Sequence, residues 1–205
     1  MKKKLLSVTV VAICLAILGY GTAAYVTDGV RAHNVITSGG IGIELVEKIV
    51  ENGTEVDFPR DGISGVMPGT EVSKIVTVKN TDSGDAWLRV KVESTIQSAA
   101  QQELPKTVAV GQTSVDVVTL DFNTAAAEGG YWIDGGDGFY YYSVPVRAAE
   151  STSALFRTVS FAKEMGNEYQ NCKVFIDVTA QAVQSANNPI PDGGSVTDIK
   201  GWPTI

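Results

Sequence analysis

The chain has 205 residues, 44% of them hydrophobic and 19% charged. That is room for one domain plus a leader, or two very small domains, with a core that needs no metal or disulfide staples. Three of the 16 basic residues are Lys2, Lys3 and Lys4, and all 23 acidic ones follow Ala24. The remainder therefore sets 13 basic against 23 acidic residues, a formal charge of −10. With no basic stripe interleaved with aromatics, that balance argues against nucleic acid as a partner.

The first element is a leader. Three lysines precede an apolar run from Leu5 to Leu18, and Gly19 and Gly21 weaken the helix before the small residues Thr22, Ala23 and Ala24. Thr22 and Ala24 meet the small-residue demand at positions −3 and −1, so the expected cut lies between Ala24 and Tyr25. Until then the chain is held at the membrane. Retention as an anchor is the alternative, since Leu5 to Ala24 is long enough to span a bilayer. Cys14 leaves with the leader, and Cys172 then has no internal partner.

Beyond the leader, period-two patterning dominates. Ile41, Ile43 and Leu45 share one strand face. A turn-rich stretch with Asn52-Gly53, Pro59 and Asp61-Gly62 follows, then a turn at Met67-Pro68-Gly69-Thr70. Val72–Val78 reads as a strand, and Lys79–Asp85 has the composition of a hairpin loop. Trp87–Val92 alternates cleanly, with Leu88, Val90 and Val92 against Trp87, Arg89 and Lys91. Ser94–Glu103 fits a short helix or an exposed loop. Val115–Phe122 is a further strand, and 129–142 reads as a hairpin turning at Asp134-Gly135-Gly136-Asp137-Gly138. Leu155–Phe161 and Lys173–Val183 complete the set. Gln184–Ile205 is a Pro/Gly/Asn-rich tail whose Trp202 is its one bulky aromatic and a candidate dock onto the domain. About eight strands, without a long amphipathic helix after the leader, predict an all-β, antiparallel sandwich.

Several segments together resemble the TasA/camelysin family of exported Gram-positive proteins. They are Gly19–Asp28, then Asn34, Thr37, Gly39 and Ile41–Leu45; Met67–Lys74 through Val76–Thr81; Asp137–Tyr142 with Leu155-Phe156 and Val159–Phe161; and Val174–Gln184. The resemblance touches most of the chain. It implies a jelly-roll-like sandwich, processing by a SipW-type signal peptidase, and a place at the cell surface or in the biofilm matrix. It also implies self-assembly into fibres in which the N-terminal segment of one subunit completes a sheet of the next. Here that segment would be Tyr25 to about Thr37, with Tyr25, Val26, Val30, Val35 and Ile36 as its apolar and aromatic positions. An extended arm offers backbone donors and acceptors to an open sheet edge, and alternate side chains fill pockets there. The residues alone leave two other readings open: a linker, or an edge strand of the arm's own domain.

No enzyme is expected. Camelysin-like relatives are described as metallopeptidases, but the only histidine is His33, inside the arm, and one histidine builds neither an ordinary zinc site nor a triad. Asp134–Gly138 lacks the longer acidic run and distant glutamate of a calcium loop, and a turn needing positive φ explains its glycines. Neither metal nor cofactor is expected. Phe139–Tyr142 sends one pair of rings to the core and leaves the other to pack under a loop or to form a patch for a glycan or host protein. The expected organisation is 1–24 signal peptide, 25–37 arm and possible donor strand, 38–183 sandwich and 184–205 tail. The expected function is that of a secreted fibre subunit, with a monomeric surface binding module as the alternative.

Overall fold

Alternation of apolar and polar residues, punctuated by glycine turns, makes nearly every element of this molecule a strand. The computed structural model describes residues 41–59 and 67–204, and the backbone of 33–37. In chain order the strands are β1 (His33–Thr37), β2 (Ile43–Glu51), β3 (Thr54–Asp57), β4 (Glu71–Ser73), β5 (Ile75–Asn80), β6 (Ala86–Gln97), β7 (Thr107–Val110), β8 (Thr113–Asp116), β9 (Val118–Leu120), β10 (Trp132–Asp134), β11 (Phe139–Tyr142), β12 (Thr158–Phe161) and β13 (Lys173–Gln184). The described residues all fall in one compact unit.

The larger sheet has the order β1-β13-β6-β11-β10. Its spine is the antiparallel pair β6–β13, in register from Ala86 opposite Gln184 to Gln97 opposite Lys173. The second layer is assembled from pieces. β2 pairs with β5 and, along its outer half, with β3. β12 lies between β4 and β9. Backbone hydrogen bonds join these two groups: Lys74 N–H donates to Arg157 O, Val76 N–H to Phe156 O, and Leu155 N–H to Val76 O. Residues 150–161 thus run beside β4 and β5 as one irregular strand.

Between the layers lies the core. Val76 and Val78 of β5 and Val159 and Phe161 of β12 meet Leu88 and Val90 of β6 and Val178, Ala180 and Ala182 of β13, all buried. Trp132 and Tyr142 fill the end under β10 and β11, ring edge to face at 5.1 Å. Each large apolar side chain so enclosed stabilises the fold by about 1.5–3 kcal/mol. The molecule is therefore an all-β sandwich of antiparallel sheets, with one exception. β1 pairs with β13 in parallel, His33 opposite Val178 through Thr37 opposite Ala182.

Four local expectations change. The segment 79–85 is no hairpin loop, because β5 and β6 lie in different sheets and the chain arches from one layer to the other. Buried Asn80 fixes the arch: its amide donates to Gly84 O and Val146 O and its Oδ1 accepts from Asp82 N–H. The ambiguous stretch after Ser94 is neither helix nor loop at first, since β6 continues to Gln97 with Ile96 buried against Tyr169. Val115–Phe122 is broken at buried Val117, which ends the β7–β8 hairpin and starts β9. Asn52-Gly53, read only as a turn, closes the β2–β3 hairpin, with both residues at positive φ (50° and 79°), the geometry that Asn-Gly suits.

A buried ion pair joins the two parts of the second layer. Lys74, between β4 and β5, meets Glu47 of β2, and its ammonium also lies 4.0 Å from the centre of the Phe58 ring.

Candidate functional site

Two features of the larger sheet stand out, and they share β13. The first is its edge. Residues on β13 alternate, so Val178, Ala180 and Ala182 enter the core while Thr179, Gln181 and Val183 belong to the outer face. Against this edge the backbone of β1 sets Val35 opposite Ala180 and Ile36 opposite Gln181. Of the three readings of the arm, this part of it takes the edge-strand one: residues 33–37 are paired within their own chain. In the single chain this pairing occupies the backbone groups of β13 there. Ala24, Tyr25, Val26 and Val30 lie outside the described residues, as does the leader.

The second feature is the outer face beneath the C-terminal tail. On β6 the alternation that buries Leu88 and Val90 turns Trp87 and Arg89 outward, and on β11 it turns Phe139 and Tyr141 the same way. The tail crosses this face as a strap. The Trp87 indole N–H donates to Asn188 O at 2.9 Å. A 3-10 turn at Val196–Asp198, capped by reciprocal hydrogen bonds between Ser195 and Asp198, seats Val196 and Ile199 against Trp87, Tyr141 and Val183. Trp202 follows, edge to face with Tyr141 at 5.8 Å.

Arg89 is the centre of this cluster. Its guanidinium lies 3.9 Å from the centre of the Phe139 ring and 4.7 Å from that of Trp202. Such stacking of a partly desolvated guanidinium on aromatic rings is attractive. Its Nε–H donates to Gln181 Oε1 at 2.7 Å, and Nη1 donates to the Tyr141 hydroxyl at 3.1 Å. The hydroxyl in turn donates to Asp137 Oδ2 at 2.7 Å. Burial alone would raise the Asp137 pKa; the hydrogen bonds from Tyr141 and from Phe139 N–H, with the Arg89 charge, outweigh it and hold the carboxyl below the usual aspartate range. Burial, with that same hydrogen bond to Asp137, pushes the Tyr141 hydroxyl above the ordinary tyrosine value.

Gln181 is fully buried, yet among the described residues its Nε2 has no hydrogen-bond partner, and neither has the Trp202 indole N–H. An unsatisfied buried donor costs about 1–3 kcal/mol. Such a cost persists where neighbouring groups fix the side chain in place.

The remaining candidates resolve simply. The two aspartates of the 134–138 loop cap its turns: Asp134 Oδ1 accepts from Gly136 N–H and Asp137 Oδ1 from Phe139 N–H, with Gly136 and Gly138 at positive φ. Asp82 likewise accepts from Ser83 N–H. Among the described residues no three His, Cys, Asp or Glu side chains converge as a metal site would require. Cys172 is partly buried beside Tyr169, and burial raises its thiol pKa, which makes it a poor nucleophile. The aromatic run divides as the period of two demands: Tyr140 stacks on Phe122 at 4.3 Å on the core side, and Phe139 and Tyr141 pack beneath the tail, with no ring pair left over as a patch. Among the described residues no helix is long and apolar enough to cross a membrane.

Sequence reasoning missed Arg89 and Gln181. The signal was present, since both fall on the outward phase of their strands, where a face is expected to be wet. A tail able to cover that face turns an outward arginine into a partly enclosed one. Comparison with protein families, with curated proteins and with solved structures finds no match for this chain.

Proposed function

We propose that this chain is an exported structural protein that polymerises by exchanging its N-terminal strand between copies. The observation that carries the reading is β1 itself. It is a five-residue strand at the end of the larger sheet, parallel where every other pairing among the described residues is antiparallel, and it precedes the other strands described. Parallel pairing is slightly weaker per residue than antiparallel, and a terminal edge strand can leave without unthreading any other. A neighbour's β1 on the same edge would remake the same hydrogen bonds, so exchange costs little beyond association. The chain paired with itself is then the closed form, and the polymer is a succession of opened forms.

Other edges suit a structural surface less. β3 is fully exposed but carries Glu55 and Asp57, and β10 ends in Asp134; such charges discourage edge-to-edge pairing. β1, with the sequence His-Asn-Val-Ile-Thr, has no carboxylate. The likeness to TasA-type proteins points the same way and brings with it the jelly-roll winding, the SipW-type processing between Ala24 and Tyr25 and the matrix location. Nothing in this mechanism is catalytic.

The test compares a chain beginning at Tyr25 with one beginning at Gly39. The longer one forms filaments in negative-stain images and the shorter does not. Equal assembly by both removes β1 from the mechanism. A monomeric binding module, the alternative, would leave both unassembled.

A further inference from the structure

We propose that the C-terminal strap is a latch on the seat of β1. The route runs through consecutive contacts. Trp202 lies with its ring centre 4.7 Å from the Arg89 guanidinium, Arg89 holds the Gln181 amide by its Oε1, and Gln181 stands in register with Ile36 on the edge that receives β1. The Nε2 of Gln181, without a partner among the described residues, marks where the arrangement is strained: a free glutamine would turn to satisfy both ends of its amide, and this one is held by its Oε1. Lifting Trp202 opens Arg89 to water and weakens its hold, and Gln181 then reorients toward solvent at the β13 edge. The strap, 185–204, thereby governs how readily β1 leaves its place while contributing nothing to the β1–β13 hydrogen bonds themselves.

The two ends of the chain are thus linked through one strand. A latch of this kind gives strand exchange a control separate from leader cleavage, and any partner or surface that draws the tail away would favour opening. The inference bears on the exchange proposed above, but its test reads the single chain before any assembly, so the two can fail separately.

The experiment is amide hydrogen exchange on the full chain in mild detergent, read by mass spectrometry over β1 and over β2–β5. Trp202→Ala is compared with Val196→Ala, a strap residue that packs on Trp87, Tyr141 and Val183 without being part of the Arg89 stack. In Trp202→Ala the exchange of β1 amides accelerates about tenfold or more while β2–β5 is unchanged, the mark of a local opening. In Val196→Ala the β1 rate stays near that of the parent. Should Trp202→Ala fail to fold, Arg89→Lys, which keeps the charge but loses the Nε–Gln181 bond, reads the same contact and gives the same local acceleration. Unchanged β1 exchange on loss of the Trp202–Arg89–Gln181 contacts overturns the latch. Equal acceleration in Val196→Ala, or acceleration spread over both sheets, overturns it as well, since either means general loosening.

Discussion

Gln181 is the residue at which the chemistry of this face is least settled. Its Oε1 serves Arg89, and its Nε2 has no partner among the described residues. Gln181→Glu places an acceptor where the unused donor was and completes a charge-assisted pair with the guanidinium. The expected gain is about 1 kcal/mol in urea unfolding, the lower end of the cost of an unsatisfied buried group. In an Arg89→Met background the same substitution becomes destabilising, because the new carboxylate is then buried without a cation. Asp137 gives a second prediction at this scale. Its folded pKa is depressed, so its contribution is complete above the ordinary aspartate range of about 3.9 and is lost as pH falls through the folded value. The parent should exceed Asp137→Asn in stability at neutral pH, and the difference should close as the solution is acidified below that range. A difference that persists to the lowest pH at which both fold would remove the carboxylate charge from the account. Neither residue could be weighed from the sequence, because each owes its setting to side chains that only the fold brings to it. Gln181 on an outward strand phase looks wet until Trp202 is placed, and Asp137 in a glycine loop looks like any turn aspartate until Tyr141 reaches it.

At the scale of elements, period-two alternation carried far. β13 falls on Lys173–Gln184 within one residue of the sequence reading, and the β10–β11 hairpin turns where the Gly/Asp cluster placed it. Both succeed because one face of each strand is dry, which writes the pattern plainly. The failures have a common cause as well. The 79–85 arch has the composition of a hairpin loop and the Gln/Ala-rich stretch after Ser94 that of a short helix or loop, and composition does not say which sheet the next strand joins or where a strand stops. The irregular run 150–157 bonds along β5 without strand periodicity, because Leu155 and Phe156 are adjacent and both fully buried. The buried Lys74–Glu47 pair sits at the join of these pieces, beneath Phe58. Lys74→Met removes the cation that meets Glu47 and lies over Phe58 and should be destabilising by more than about 1 kcal/mol in chemical denaturation. A loss below about 1 kcal/mol would mean that the site behaves as solvated, as exposed pairs do.

For the whole molecule, the pairing of β1 within its own chain moves the question from whether an edge stands empty to whether its occupant can change. Sequence patterning anticipated the sandwich and the docked tail, but cis and trans pairing of β1 use the same residues and the same hydrogen bonds, so no pattern in one chain distinguishes them. A covalent reporter does. Asn34 and Thr179 are register partners across β1 and β13, and a chain beginning at Tyr25 with Cys172→Ser has no other thiol. In that chain, Asn34→Cys with Thr179→Cys, oxidised after incubation at high concentration and run on a non-reducing denaturing gel, should give a ladder of covalent oligomers that collapses to monomer on reduction. Oxidation while dilute should instead trap a monomer that no longer assembles when concentrated. A single cross-linked monomer band at every concentration would contradict strand exchange outright.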